Sequence, residues 1–482
     1  PTNVITRYRY DKAGRLLGIG DSAGALLTLA YTNGAVRSIT NGNNQALNFT
    51  RDARGRVTAI AEPGGATWRF EYDASGRLAA VRNPLDERTQ YGWLRGALLQ
   101  KETLPTGDAV TLAYDNDAQL AALADPLQSN WKWERNGSGL ISAAVNPLNQ
   151  RTTFNWGARR RLLSFTHADG SSGNFTYDPA GDLTRLQFSD GADIEIQREA
   201  RGLPVVGTNF IFTYDPAGRL ASSNGINITR DDAGRITAIA YTQDRVIHYA
   251  YNERGLLIRL TDWLGGATTF AYDSARRLLR INRPNGVNTE YTYDAAGRMT
   301  RLAHTGGTGV NLSLTLARDA AGRLTSSTRS PAVNPTLVDG TQELTSNAAR
   351  QLALSRYDSA GRMTTDGLRT FRWDAASRLR EAVSGATTLR FDYDAFGNIV
   401  GAARQWVWNY ATALPSPSIE RNGVNDLNYH IFTPAGEWLY SIDAQGAVLY
   451  GHLDESGNAM ALTNQLGAIV ETYVVTDRKS VV

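Results

Sequence analysis

Five histidines and a long series of carboxylates are the residues whose types could do chemistry in this 482-residue chain. His167, His248, His304, His430 and His452 stand far apart in sequence, and no His-Glu-x-x-His pair sets two imidazoles at the spacing a zinc site needs. Cysteine is absent, which removes disulfides and thiolate metal ligands together. No Gly-x-Ser-x-Gly elbow, phosphate-cradling glycine loop or EF-hand loop occurs. The aspartates have a plainer reading. They stand three residues before a glycine again and again: Asp11 and Gly14, Asp73 and Gly76, Asp178 and Gly181, Asp215 and Gly218, Asp294 and Gly297, Asp358 and Gly361, Asp394 and Gly397. An Asp that opens a turn accepts a hydrogen bond from the backbone N–H two residues on, so these positions predict turns rather than general acid–base work. No catalytic residue, metal or cofactor is expected, and the chain is expected not to be an enzyme.

Turns need strands to join, and the repeat supplies them. The unit reads Tyr-Asp-x-x-Gly-Arg-Leu. Its first residues fall at Tyr10, Tyr31, Arg51, Tyr72, Trp93 and Tyr114, then, past a degenerate unit near Trp133, at Trp156, Tyr177 and Arg198, in steps of 20 or 21 residues. Two steps of 16 reach Tyr214 and Arg230, and the longer step resumes through Tyr251, Tyr272 and Tyr293. Arg318, Tyr357, Trp373 and Tyr393 follow with looser spacing. Before each turn, aromatics sit two apart, as in Phe70 and Tyr72 or Phe391 and Tyr393, which puts them on one face of a half-buried strand. The expected aromatic ladder is Tyr10, Tyr72, Tyr177, Tyr214, Tyr251, Tyr272, Tyr293, Trp373 and Tyr393. Recurrence in every repeat favours packing over a sugar- or base-stacking platform.

One period is therefore one hairpin, with Gly taking the positive φ of the first turn and segments such as Asn83-Pro84-Leu85-Asp86 making the second. A lone hairpin is unstable in water, so the hairpins must pair edge to edge. About forty strands at ~4.8 Å make a strip ~190 Å long, which twist should coil into a spiral wall. The fold class expected is all-β: tandem antiparallel β-hairpins forming a spiralling shell.

Residues 1–405 read as the hairpin array, apart from an insertion at Ser330–Ser346. Residues 406–428, with Pro415 and Pro417, read as a loop insertion, and 429–473 as a closing module whose units open every 10 or 11 residues. Residues 474–482 make an atypical tail. The chain opens at Pro1 without a charged and apolar leader and reads as an internal fragment. Its basic residues are nearly all Arg, recurring singly beside acids of the same repeat, so the net charge of +3 does not point to nucleic acid. No run approaches the ~18 apolar residues of a membrane span.

These residues resemble the RHS/YD-repeat family, which includes bacterial RHS polymorphic toxins, the BC components of Tc toxins, and teneurins. The likeness runs from about Tyr8 to Tyr473. Tyr450 to Asn458 is similar to the start of the family's RHS-associated core, which makes His452, Asp454 and Gly457 core-like residues. The resemblance implies a hollow, non-enzymatic β-shell, secreted or at the bacterial cell surface. It further implies a C-terminal toxin or effector domain in cis as partner, absent from this chain, and a secretion apparatus as another. The family's core plug and autoprotease have no counterpart here, and the departure after Tyr473 reads as a truncation or frame artefact. A cell-surface adhesion protein binding glycans or neighbouring cells is the competing reading, and an enzyme using cryptic carboxylates is a third.

Overall fold

The computed structural model describes residues 5–21, 24–331 and 345–473. The atypical tail and most of the Ser330–Ser346 insertion lie outside the described residues. From Arg7 to Ser330 each strand pairs antiparallel with the next in one sheet of 32 strands. A five-stranded sheet spans Arg356 to Arg390, and a nine-stranded one spans Asp392 to Thr472.

The hairpin Thr67–Tyr72 and Leu78–Arg82 shows why the repeat folds this way. Phe70 pairs with Val81 and Glu71 with Ala80, and then the register shifts so that Tyr72 faces Leu78. The shift follows from the turn. Gly76 sits at φ +84°, its N–H bonds the Asp73 carbonyl at 3.0 Å, and the Asp73 N–H bonds the Arg77 carbonyl at 2.9 Å. That is a type I turn closed by a glycine bulge, which only a residue tolerant of positive φ completes without strain.

The strip coils. Arg254 meets Asp21 from 233 residues away, Arg323 meets Glu87 from 236, and Arg350 meets Asp125 from 225. The separation falls to 184 where Asn209 meets Tyr393, and to 178 where Tyr440 meets Asp262. A coil that takes fewer residues per revolution narrows, and this one narrows toward its C-terminal end.

The largest apolar core lies where the nine-stranded sheet packs on coil strands from Ile226–Arg230 to Leu278–Asn282. Ile226, Ile239, Ile247 and Leu260 of the coil meet Ile419, Tyr429, Ile431, Tyr440 and Ile442, all almost fully buried. Earlier strands carry the same alternation, but Phe70, Trp133 and Phe154 remain half-buried, having no sheet laid over them in that core. Residues 406–428 are not the expected loop: they hold strand Ser416–Asn422 and nearly all of Gln405–Asn409, paired with each other. Pro417 is accommodated inside the second strand at a register irregularity beside Trp408, which is where a ladder tolerates a residue without an N–H.

Candidate functional site

The Tyr-Asp-x-x-Gly-Arg units lock neighbouring hairpins together, as Asp73 shows. Asp73 Oδ1 accepts the Arg77 N–H at 2.9 Å while Oδ2 accepts Arg77 Nε at 2.7 Å. The guanidinium thus held lies over the ring of the next unit's aromatic: Arg56 is 4.5 Å from Tyr72, and Arg77 is 6.0 Å from Trp93. That aromatic then reaches back, Tyr72 Oη donating to the Val57 carbonyl at 2.8 Å and Trp93 Nε1 to Leu78 at 2.7 Å. Tyr177, Tyr251 and Tyr293 make the same bond to the carbonyl 15 residues earlier, at 2.7 to 2.9 Å. Tyr214, Trp373 and Tyr393 make it across 10, 10 and 14 residues. Tyr272 is half-buried beside the closing sheet, and Tyr10 is exposed.

The remaining turn acids sit in the same geometry. Asp11, Asp215, Asp294 and Asp358 each bond the backbone N–H and the Nε of the arginine four residues on. Asp178 and Asp394 bond turn amides, and Asp394 also takes the Tyr410 hydroxyl. Gly14, Gly181, Gly218, Gly297, Gly361 and Gly397 close these turns. The Arg219 N–H, opposed by desolvation and helped by the Arg219 guanidinium, holds Asp215 below the usual carboxylate range. A lowered carboxylate contributes its stability above the unfolded value near 3.8 and loses it as pH falls through the folded one. Asp215 therefore keeps its charge to lower pH than an unpaired aspartate does.

Alternation alone did not reveal the back-reaching bond. The degenerate unit near Trp133 shows how far the lock tolerates substitution: Arg135 replaces the aromatic and donates to the Leu120 carbonyl at 3.1 Å. We predict that Tyr293→Phe, which removes only the hydroxyl, costs ~1 kcal/mol. Hydrogen exchange should read this as roughly fivefold faster opening, confined to Val287–Tyr293 and Met299–Gly306.

Between the first two coils the seam is polar and directional. Asp21, Glu87, Asp125 and Asp169 of the earlier coil receive Arg254, Arg323, Arg350 and Arg362 of the later one. Arg323 and Arg362 also keep the aspartates of their own turns, Asp319 and Asp358. Pairing within a repeat, as read from the sequence, is thus only half of what these arginines do. Asp21 and Arg254 form the most deeply placed pair, with side chains 6% and 12% exposed at 2.7 Å. Asp21→Asn should cost ~3 kcal/mol by stranding a buried guanidinium, whereas Glu87→Gln in its exposed pair should cost under ~1 kcal/mol. Hydrogen exchange of the two variants checks the ranking: amides 252–256 should lose more protection in the first than amides 319–323 lose in the second.

The closing sheet and the coil share a buried polar cluster. His304 and His452, distant in sequence, come together with rings 4.9 Å apart. Asp454 caps a turn beside them, bonding the N–H groups of Ser456 and Asn458 at 2.8 and 2.9 Å, and Gly457 completes it at φ +83°. Among the described residues no group of three His, Cys, Asp or Glu is arranged to hold a metal ion. No helix among them is long and apolar enough to cross a membrane.

Two family models match parts of the chain. Residues 207–365 match the Teneurin YD-shell family model, and residues 51–89 match the RHS Repeat model. Within those two stretches the chain carries repeats of the teneurin YD-shell and RHS type. Double-stranded DNA deaminase toxin A of Burkholderia cenocepacia (strain H111) is 30% identical over 159 residues, which are 32% of this chain and 10% of that protein. The chain therefore matches about a tenth of the length of that relative. The crystal structure of TcdB2-TccC3 gives a TM-score of 0.33 at 15% identity, covering 97% of this chain and 26% of that one. The Photorhabdus luminescens Tc holotoxin pore gives the same values.

Proposed function

We propose that this chain is a non-enzymatic wall segment of a secreted, toxin-type RHS protein, and that the wall encloses an effector domain carried in cis until delivery. The observation that carries the reading is the continuous 32-stranded sheet that returns on itself along a seam and is covered at its narrow end by a nine-stranded sheet. Such a form uses its polar residues to hold a surface closed. The repeat carboxylates are engaged by turn amides and arginines, which supports a structural rather than catalytic use.

The test is limited proteolysis of the native gene product, read through to its stop codon. A domain beyond residue 473 should resist protease while the wall is intact and be digested once the seam is broken. A following domain cleaved as fast as the same domain alone would overturn the reading. So would a gene product that ends with the wall and binds immobilised glycans, which is the behaviour of an adhesion protein.

A further inference from the structure

We propose that His304 and His452 form an acid-sensitive latch, holding the closing sheet on the coil at neutral pH and releasing it on acidification. The inference concerns the docking of one sheet and stands whether or not the wall encloses a cargo. His304 lies on coil strand Met299–Gly306, and His452 on closing-sheet strand Val448–Leu453. Both are essentially without solvent contact.

The hydrogen bonds are those of neutral rings and set the tautomer of His304. His304 Nε2 lies 3.1 Å from the Leu453 carbonyl, which only accepts, so Nε2 carries the hydrogen. In the neutral ring Nδ1 then accepts, and its partner is the Thr289 hydroxyl at 2.9 Å. Thr289 in turn accepts Arg283 Nη1 at 2.6 Å, and Arg283 Nη2 donates to the Gly451 carbonyl at 3.2 Å. His452 Nε2 meets the Thr463 hydroxyl at 2.8 Å, and Asn285 Nδ2 donates to that same hydroxyl at 2.9 Å. The chain of bonds crosses from coil to closing sheet at Leu453, Gly451 and Thr463. None of these bonds needs a charge on either ring.

A proton on His304 must enter at Nδ1, where Thr289 already donates, and it places a second cation beside the buried Arg283. None of the hydrogen-bond partners of either ring is a carboxylate. The other charged and titratable groups around the cluster are Arg329 on coil strand Leu324–Ser330, Tyr291 and Tyr450 beside Arg283, and Tyr293, Glu437, Asp454 and Glu455 lining the adjoining cavity of about 540 Å³. Asp454 acts on Arg329. Burial, reinforced by Arg283, brings His304 down to about 3 and His452 to about 2.

The sign follows. A base whose value is lowered on docking binds its proton better undocked, so docking is at full strength above about 6.5 and weakens as pH falls toward the lowered values. Each histidine shifts the equilibrium roughly tenfold per pH unit in that window. The turn carboxylates of Asp11 and Asp215, lowered by their arginines' N–H groups, stay ionised until more acidic conditions. His430, in the closing sheet with Nδ1 2.7 Å from the Ser441 hydroxyl and Glu420 nearby, is also lowered by burial and acts in the same direction.

Hydrogen exchange of the full chain from pH 7.5 to 4.5, corrected for intrinsic exchange rates, tests the latch. Strands Asn425–Phe432 and Val448–Leu453 should lose up to about a hundredfold protection per pH unit below 6, while Thr67–Tyr72 is unchanged. The double variant His304→Gln/His452→Gln keeps a donor and an acceptor without a titrating ring, and its loss should be much shallower. Unchanged protection in the parent chain, or the same acid loss in the variant, would overturn the proposal. If the variant does not fold, ring-labelled histidine spectra of the parent decide: two rings neutral below pH 5 in the docked protein support the latch, and five titrating near 6.5 refute it.

Discussion

Replacing Tyr440 by Ala is expected to cost about 4 kcal/mol, in the range for removing a packed aromatic from a core, and to detach the closing sheet without unravelling the first coil. Tyr440 is 1% exposed, packs among Ile and Tyr side chains from both sheets, and donates its hydroxyl to Asp262 Oδ2 at 3.0 Å. The substitution leaves a cavity and takes one partner from a buried carboxylate. Tyr440→Phe separates the two effects, since it keeps the packing and should cost only ~1–2 kcal/mol. Protease sensitivity within 405–473, with 67–135 as resistant as before, is the expected result.

Gly467→Val should be as damaging for a different reason. Gly467 lies at φ +75°, and a Cβ there would sit 2.6 Å from Gly307 Cα and 2.7 Å from the Asn285 carbonyl oxygen. Backbone meets backbone at this point, so neither side can yield. Strain from the positive φ and the forced separation together should cost ~3–5 kcal/mol. Gly457 is the control: it has a similar φ of +83°, but an added Cβ meets nothing within 4 Å. Gly457→Val should therefore cost only the backbone strain, ~1–3 kcal/mol. Equal losses in the two variants would show that the close approach of coil and closing sheet carries no weight.

Much of the architecture was legible because it is local. Asp73, Gly76 and Arg77 settle a turn among themselves, and the alternation around Phe70 makes the strand on either side. The role of Tyr72 was only half legible. Alternation places it with Phe70, but its bond to the Val57 carbonyl reaches into the neighbouring hairpin. The seam was not legible at all, because Asp21 and Arg254 meet only if twist and taper bring strands 233 residues apart into register. For the same reason the pairing of His304 with His452 could not be read from two histidines 148 positions apart in sequence. The prolines near 415–417 suggested a loop, but pairing between Val407 and Ile419 and between Asn409 and Ser416 carries a strand past them.

The central claim is that the strip coils and seals against itself, and one covalent measurement tests it most directly. The chain has no cysteine, so an introduced pair reports without interference. Asn43 and Ala275 are 232 residues apart in sequence, yet the Ala275 N–H bonds Asn43 Oδ1 at 3.1 Å across the first seam. In the variant Asn43→Cys/Ala275→Cys, mild oxidation should close an intramolecular disulfide in nearly every monomer, since the adjoining backbones nearly touch, a Cβ on Gly42 lying 2.5 Å from the Ser274 carbonyl oxygen. Non-reducing electrophoresis and peptide mass mapping would detect it, with Asn43→Cys/Asp193→Cys as the negative control. Free thiols throughout, or bridges only between separate chains, would contradict the coil.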